Sequence, residues 1–481
     1  MTRAVPVPHR WWALAVLSLA QLMDIVDNTI MNIALPSAQT ELGFSIADRQ
    51  WLITGYALAF GSLLLIGGRL SDLFGRKRLF MVGLGGFAVA STVGGAATGF
   101  EVLLVARVAQ GAFAAALAPA ALSLLSVTFS DDPGDRGKAF GVFGAISGAG
   151  GALGLLLGGL LTETLSWRWC LYVNLIFAVL AFLGAIVFLR PGIRPARVRF
   201  DTAGAVTSVA GLAGLVYGLG NAADNGWTDP ATLIPTVAGV ALLVLFVVIE
   251  RRAEHPLLPV RVVLDRVRGA SYLTLGIAGA GTFVVFLFLT FYLQQTLGIS
   301  PILTGVAFLP MIGCVMVGAV VSGTVLMPRV GPRPLIPAGA LLAAIGLALL
   351  TRIGTDTGYA STVLPSLVIM GLGFGLIFGP VQNAATSGVT ASHAGVASAM
   401  VNTSQQIGGS IGTAVFSSLA ALATARYLTA HGTSHGAAAT IAGYHLVFWI
   451  AAAVFAAAAL TAALLFRSGP IRVADELQPT H

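Results

Sequence analysis

Long apolar stretches alternate with short polar ones along the whole chain. Each apolar stretch is about 20 residues long, which is the length that an α-helix needs to cross a bilayer. The pattern predicts fourteen membrane spans, at 11–33, 51–69, 78–98, 101–124, 138–161, 168–189, 203–221, 231–250, 270–294, 303–327, 333–352, 361–384, 396–421 and 442–466. Because fourteen is even, both termini are expected on the same side.

The composition also indicates a membrane protein. Of the 481 residues, 57% are hydrophobic and 9% are charged, whereas a soluble domain carries roughly 25% charged residues. So few charges cannot coat the surface, so a bilayer must solvate most of the chain. The 59 glycines suit close approach of helices in lipid. The two cysteines, Cys170 and Cys314, are expected to be small buried residues, since they form no disulfide framework or metal motif.

The basic residues choose the side of the termini. Of the 26 Lys and Arg residues, 21 lie on the side of the termini, four lie on the other side, and Arg107 lies inside a span. Cytoplasmic loops carry the excess of Lys and Arg, so both termini are expected in the cytoplasm. The net charge of +7 follows from this asymmetry and needs no nucleic-acid partner.

The segment "GGRLSDLFGRKR", residues 67–78, lies between the second and third spans. Gly68 and Gly75 are expected to permit a tight turn, and Asp72 lies between them. The bases around this acid are Arg69, Arg76, Lys77 and Arg78. An acid among bases at helix ends can hold neighbouring helices together by charge pairing. The alternative is an ordinary basic loop, which would need the arginines but not the spaced glycines and acid.

This segment resembles the signature loop of the major facilitator superfamily. With fourteen spans, the chain resembles the drug:proton antiporter branch that contains the EmrB/QacA-like multidrug exporters. The other motifs that carry this resemblance are "VDNTIMNIALP" (26–36), "RVAQGAFAAALAPAALSLL" (107–125), "DRGKAFGVFGAISGAGGALG" (135–154), "SWRWCLYVN" (166–174) and "AGVASAMVNTSQQIGGSIGTAV" (394–415). The resemblance implies an all-α fold of two six-helix bundles, 11–189 and 270–466, with two extra transmembrane helices at 203–250.

Two departures from the family pattern concern its motifs. Leu155 stands where the antiporter motif of the fifth span usually has proline, so a kink is expected to be missing. The later half carries a faded copy of the signature loop, "MPRVGPRP" (327–334), in which Pro328 replaces the acid. This agrees with two repeated halves around a central site.

Asp24 and Asp27 lie in the first span and share one face of a helix. A carboxylate near the bilayer centre costs roughly 2.5–3.5 kcal/mol on insertion scales. Burial and a neighbouring carboxylate both disfavour the charged form, so the pair titrates as a coupled unit. Such a pair suits proton coupling or attraction of a cation; the alternative is a structural acid bonded to another helix. Asp27 belongs to the family motif, and Asp24 does not.

Arg107, with Gln110, forms the Arg-x-x-Gln-Gly pattern of the fourth span. A base inside a span needs a partner or a watery cavity. The resemblance implies a role in the proton pathway, and the alternative is an anchor to backbone carbonyls. Further candidates for a cavity between the two bundles are Asn32, Tyr56, Gln294, Gln382, Asn383, Asn402 and Gln405. Such residues serve equally as hydrogen-bonding or packing groups between helices.

The sequence contains no phosphate-binding loop for ATP, no metal-ligand cluster, and no nucleophile with a placed base. We therefore predict a non-enzymatic, multi-pass transporter of the bacterial cytoplasmic membrane, without a cofactor and driven by the proton gradient. It is expected to act as a monomer and to export drugs or amphipathic or cationic compounds. The alternatives are a dedicated exporter of one antibiotic or metabolite, and a membrane sensor that does not transport.

Overall fold

The computed structural model describes residues 9–45, 48–129, 133–189, 201–253, 256–258, 263–386, 394–432 and 435–466. Fourteen long helices account for most of them. They are α1 (Arg10–Leu42), α2 (Arg49–Phe74), α3 (Arg76–Gly95), α4 (Phe100–Thr128), α5 (Pro133–Thr164), α6 (Trp169–Phe188), α7 (Thr202–Asn225), α8 (Pro230–Arg252), α9 (Arg266–Phe291), α10 (Pro301–Val321), α11 (Pro332–Leu350), α12 (Leu364–Thr386), α13 (Ala394–His431) and α14 (Gly436–Leu465). The predicted all-α fold is confirmed.

Thirteen of these helices are long and apolar enough to cross a membrane. The remaining helix, α5, has 32 residues, and the part of it whose side chains are described without a break, Ala149–Thr164, is apolar. Several helices extend beyond the predicted spans, because polar residues at their ends continue the helical turns outside the apolar stretch. Single π-helical turns lengthen three others: Tyr292–Thr296 after α9, Ser322–Leu326 after α10 and Tyr359–Val363 before α12.

The chain divides into two compact units. The first runs to Val209 and includes Leu293–Val306, and the second comprises Ala210–Tyr292 with the chain from Ala307 onward. The division into segments 11–189, 203–250 and 270–466 stays a prediction.

The two units repeat the same helix packing. In the first, α1 packs on α5, and α3 packs on α4 and α6. In the second, α9 packs on α13, and α11 packs on α12 and α14. Each pair in the second unit lies eight helices after its counterpart, so the packing supports an internal repeat. The extra helices α7 and α8 pack on each other through Gly211, Gly214 and Gly239.

Glycines bring the helices of the first unit close together. A side chain at Gly111 of α4 would overlap the carbonyl oxygen of Tyr56 in α2. On α5, Gly154 faces Thr29 and Gly158 faces Ile30, both on α1. Leu155, between them, is fully buried. Small residues at these positions allow the backbone contact that holds helices together in lipid.

A cluster at the other ends of these helices, which we call the outer clamp, ties α1, α3 and α6 together. Arg168 donates hydrogen bonds to Glu41 Oε1 at 2.9 Å and to the carbonyl oxygens of Gly95 at 2.9 Å and Ala97 at 2.5 Å. Trp167 donates its indole N–H to Glu41 Oε2 at 2.8 Å. The Arg168 guanidinium also lies 4.6 Å from the centre of the Trp167 ring. The "SWRW" part of the sixth-span motif therefore connects the ends of α1, α3 and α6.

Candidate functional site

A buried ion pair joins α1 to α4. Arg107 Nη1 donates to Asp27 Oδ2 at 2.6 Å, and Arg107 Nε donates to the carbonyl oxygen of Leu52 at 3.3 Å. Asp27 is 0% exposed and Arg107 is 1% exposed. Each charge would be costly alone in this setting, but together they are nearly neutral. The structure therefore brings the predicted acid of the first span and the predicted base of the fourth span into direct contact.

Polar side chains from two further helices complete the shell of Asp27. Gln110 Nε2 donates to Asp27 Oδ1 at 2.9 Å and to Ser91 Oγ at 2.7 Å. Asn174 Nδ2 on α6 donates to the same Asp27 oxygen at 2.5 Å. Gln110, Ser91 and Asn174 are all fully buried. Asp27 thus accepts hydrogen bonds from three side chains, which is the arrangement that stabilises an ionised carboxylate.

Asp24 has a different environment, one turn earlier on α1. Tyr56 donates its hydroxyl to Asp24 Oδ1 at 2.6 Å. The other oxygen, Oδ2, accepts no hydrogen bond within the described residues, and Asp24 keeps 8% of its surface exposed. The Arg107 guanidinium lies 4.4 Å from the centre of the Tyr56 ring. Tyr56 therefore touches both Asp24 and the base that holds Asp27.

Sequence reasoning missed two members of this cluster, Asn174 and Ser91. Asn174 is the last residue of the quoted motif "SWRWCLYVN", and a polar residue at that depth in a very apolar helix was the available signal.

The signature loop is shorter than predicted. Gly75 alone separates α2 from α3, with a φ of 89° that favours glycine. Gly68 is not part of the turn, because α2 continues to Phe74; this expectation was wrong. The side chain of Asp72 lies outside the described residues, so its predicted pairing with the surrounding bases stays a prediction.

Lys77 in this loop caps another helix. Its Nζ donates to the carbonyl oxygens of Ile186 at 3.0 Å and Leu189 at 2.5 Å, at the end of α6. A cation at a helix C-terminus satisfies free carbonyls and complements the helix dipole. Of the neighbouring bases, Arg76 is half-buried at the first position of α3 and Arg78 is exposed. The basic part of the loop therefore has a structural role that the sequence did not predict.

Of the cavity candidates in the first unit, Tyr56 joins the cluster, and Asn32 and Gln294 do not. Asn32 donates to the carbonyl oxygen of Asn28 in its own helix at 3.0 Å. Gln294 donates to the carbonyl oxygen of Ile33 at 3.1 Å, which is the interhelical bond given above as the alternative. The remaining candidates lie on the surface of their unit or half-buried in it: Gln382, Asn383, Asn402 and Gln405.

Among the residues of the second repeat that the structure describes, the positions equivalent to the ion pair are apolar. Gly154 lies against the carbonyl oxygen of Val26, and Gly408 lies in the same way against the carbonyl oxygen of Gly276. Val26 and Gly276 are therefore equivalent positions of the two repeats. The next residue in each repeat is Asp27 in the first and Ile277 in the second. Gly111 of α4 lies against Tyr56, and Gly371 of α12 against Met311. If Gly111 and Gly371 are equivalent, the positions equivalent to Arg107 and Gln110 are the apolar residues Leu367 and Met370. Within the described part of the chain, the polar cluster therefore has no equivalent at these three positions of the second repeat.

Comparison with known proteins identifies the family. The sequence profile of the Major Facilitator Superfamily matches residues 17–413. The chain is a member of this superfamily. The puromycin resistance protein of Streptomyces alboniger is 49% identical over 467 residues, which cover 96% of this chain and 92% of that protein. The cephamycin export protein of Amycolatopsis lactamdurans is 38% identical over 465 residues, which cover 95% and 93%.

Solved structures of other transporters share the fold. An auto-inhibited peptide transporter of the POT family superposes with a TM-score of 0.69 at 16% identity, over 97% of this chain and 99% of that chain. A bacterial homologue of the lysosomal transporter Spinster, in an inward-facing unoccupied conformation, gives 0.63 at 16% identity, over 95% and 96%. The superfamily member described here is accordingly a multi-pass membrane protein with the fold that its sequence resemblance implied.

Proposed function

We propose that this protein is a proton-coupled exporter of antibiotics or other amphipathic or cationic compounds. One observation carries the proposal: a fully buried carboxylate, Asp27, is ion-paired with Arg107 in a chain 49% identical to an antibiotic resistance protein. A proton on Asp27 would neutralise the acid and leave Arg107 with an unbalanced charge. Protonation therefore changes the energy of the whole cluster, which is what coupling to a proton gradient requires.

Asp24 is proposed to meet the substrate. Its Oδ2 accepts no hydrogen bond within the described residues, and unlike Asp27 it has no ion-pair partner there. A carboxylate with one oxygen available suits a protonated amine or another organic cation. Asp27 is enclosed by its own partners and serves the proton. The two carboxylates thereby divide the two tasks.

Tyr56 links these tasks physically. It donates to Asp24 at 2.6 Å and stacks on Arg107 at 4.4 Å. When Asp27 is ionised, the charge of Arg107 is balanced, and Asp24 can attract a cation. When Asp27 is protonated, the free charge of Arg107 lies beside Tyr56 and weakens the attraction of Asp24 for a cation. Proton binding would then favour release of a cationic drug, as antiport demands.

The test is drug-induced proton flux in everted membrane vesicles that carry the protein and an imposed inside-acid gradient. Ethidium and puromycin are added in turn, and a fluorescent pH dye reports the gradient. We expect the drug to dissipate the gradient in the parent and not in Asp27→Asn. The matched control is Asp229→Asn, because Asp229 caps α8 outside the cluster and asparagine caps equally well. A gradient insensitive to both drugs and to a wider panel would refute proton-coupled drug export.

A dedicated exporter of a single antibiotic is the second candidate. It is favoured by the relatives, whose names refer to single compounds, puromycin and cephamycin. Growth of a drug-sensitive host carrying the gene separates the two. Resistance to several unrelated compounds supports the broad exporter, resistance to one supports the dedicated exporter, and resistance to none supports a membrane sensor.

A further inference from the structure

The amide of Asn174 is satisfied on one side only. Its Nδ2 donates to Asp27 Oδ1 at 2.5 Å. Its Oδ1 is buried and has no hydrogen-bond partner among the described residues. A buried acceptor without a partner is uncommon in folded proteins and calls for an explanation. Here the acceptor without a partner belongs to Asn174, which already contacts Asp27, the proposed proton site.

The two protonation states of Asp27 need different partners. The ionised carboxylate needs donors, and Arg107, Gln110 and Asn174 supply them. The protonated acid carries an O–H group, which needs an acceptor. The Oε1 of Gln110 already accepts from Arg107, and Ser91 Oγ already accepts from Gln110. Among the side chains in contact with Asp27, the Oδ1 of Asn174 is the acceptor without a partner.

We propose that Asn174 is the positioning residue that serves Asp27 in both protonation states. It donates through Nδ2 to the ionised carboxylate and, after a half-turn of its amide plane, accepts through Oδ1 from the protonated acid. The oxygen and nitrogen ends of the amide have nearly the same shape, so the half-turn needs no repacking. The separation of 2.5 Å also falls within the range of about 2.5–3.0 Å for O–H···O hydrogen bonds. This inference rests on the proposed proton coupling at Asp27.

The ionisable groups near Asp27 cannot accept a hydrogen bond from its protonated form. On α4, Arg107 has no acceptor atom. Asp24 on α1 and Tyr56 on α2 are engaged with each other. Cys170, one turn before Asn174 on α6, contacts Thr162 and the carbonyl oxygen of Gly158. The orientation of the Asn174 amide is therefore the element of the cluster that can follow the proton.

The first test compares two transport modes of Asn174→Leu in proteoliposomes. Leucine keeps the size of the side chain and removes both donor and acceptor. Proton-driven drug export requires Asp27 to change protonation state, whereas drug-for-drug exchange at a fixed pH does not. We expect export to fall by about tenfold or more, the effect of an unsatisfied buried polar group, and exchange to be retained. The control is Asn221→Leu on α7, where the amide bonds the carbonyl oxygen of Ala231. An equal loss of both modes would overturn the proposal.

The second test needs neither transport nor a variant of Asn174. Infrared difference spectra between high and low pH are recorded for the parent labelled with ¹³C-asparagine. The carboxyl band of Asp27 is identified by its loss in Asp27→Asn. We expect an asparagine side-chain band to change over the same pH range as that carboxyl band. A titrating Asp27 band with no change in any asparagine band refutes the role of Asn174 alone, and no titrating Asp27 band refutes the proposed proton site itself.

Discussion

At the scale of single residues, the pairing of Asp27 with Arg107 governs what substitutions will do. Removing one partner leaves the other as an uncompensated buried charge, whereas removing both leaves none. We expect Arg107→Gln to destabilise the protein by about 3–5 kcal/mol. We expect Asp27→Asn/Arg107→Gln to be more stable than Arg107→Gln alone. The measurement is the melting temperature of the purified proteins in detergent. Additive effects of the two substitutions would show that the charges are not coupled.

The Oδ2 atom of Asp24, which accepts no hydrogen bond within the described residues, leads to a separate prediction about the binding of cations. Asp24→Asn keeps the shape of the side chain and its hydrogen bond from Tyr56 but removes the charge. We expect the affinity for a cationic ligand such as ethidium to fall by at least about tenfold, because a desolvated charge pair is lost. The affinity for a neutral ligand should change little. Equilibrium binding in detergent measures both, and an equal loss for the two ligands would contradict a charge-recognition role.

At the scale of helices, the outer clamp makes the ends of α1, α3 and α6 depend on one side chain. Arg168 bonds Glu41 and the carbonyl oxygens of Gly95 and Ala97. Arg168→Gln removes the charge and most of these bonds, and we expect a destabilisation of about 1.5–3 kcal/mol. Arg426→Gln is the control, since Arg426 is exposed on α13. Thermal melting in detergent compares the two, and equal stabilities would mean that the clamp contributes nothing.

The helices themselves could be predicted because apolar length alone determines which segments can span a bilayer. Their partners could not. The contact of Asn174 with Asp27 depends on α6 packing against α1, which is a tertiary fact that no local pattern contains. A base inside a span demands a partner or a watery cavity, but the sequence does not say which partner; the structure supplies Asp27 Oδ2 and the carbonyl oxygen of Leu52. The hydropathy pattern does not reveal the one-residue turn at Gly75, because polar residues continue α2 beyond its apolar stretch.

At the scale of the molecule, the two repeats keep the same structural device and differ in chemistry. In the first, Lys77 follows the positive-φ Gly75 by two residues and caps α6. In the second, Arg333 follows the positive-φ Gly331 by two residues and donates to the carbonyl oxygen of Ala463 at 3.1 Å, near the end of α14. The faded copy of the signature loop has therefore kept its cap, although Pro328 stands in place of the acid.

Because the repeats are alike, we predict that the two caps contribute equally to the stability of the protein. Lys77→Met and Arg333→Met each free carbonyl groups at the end of a helix. We expect each to lower stability by about 0.5–2 kcal/mol, the usual size of cap and helix-dipole contributions. Melting of the two variants in detergent gives the comparison. A loss several times larger in Lys77→Met than in Arg333→Met would assign the first loop a role beyond capping.

The distribution of charge predicts how the whole chain lies in the membrane. With 21 of 26 basic residues on the side of the termini, we expect the termini and the Lys77 cap in the cytoplasm and the outer clamp outside. Fusions test this directly. Green fluorescent protein joined after α14 should fluoresce, and alkaline phosphatase joined there should be inactive. Alkaline phosphatase joined between α7 and α8 should be active, because that loop follows an odd number of spans. The opposite pattern would place the clamp in the cytoplasm and the signature loop outside. The clamp would then face the cytoplasm, from which an exporter takes its drug.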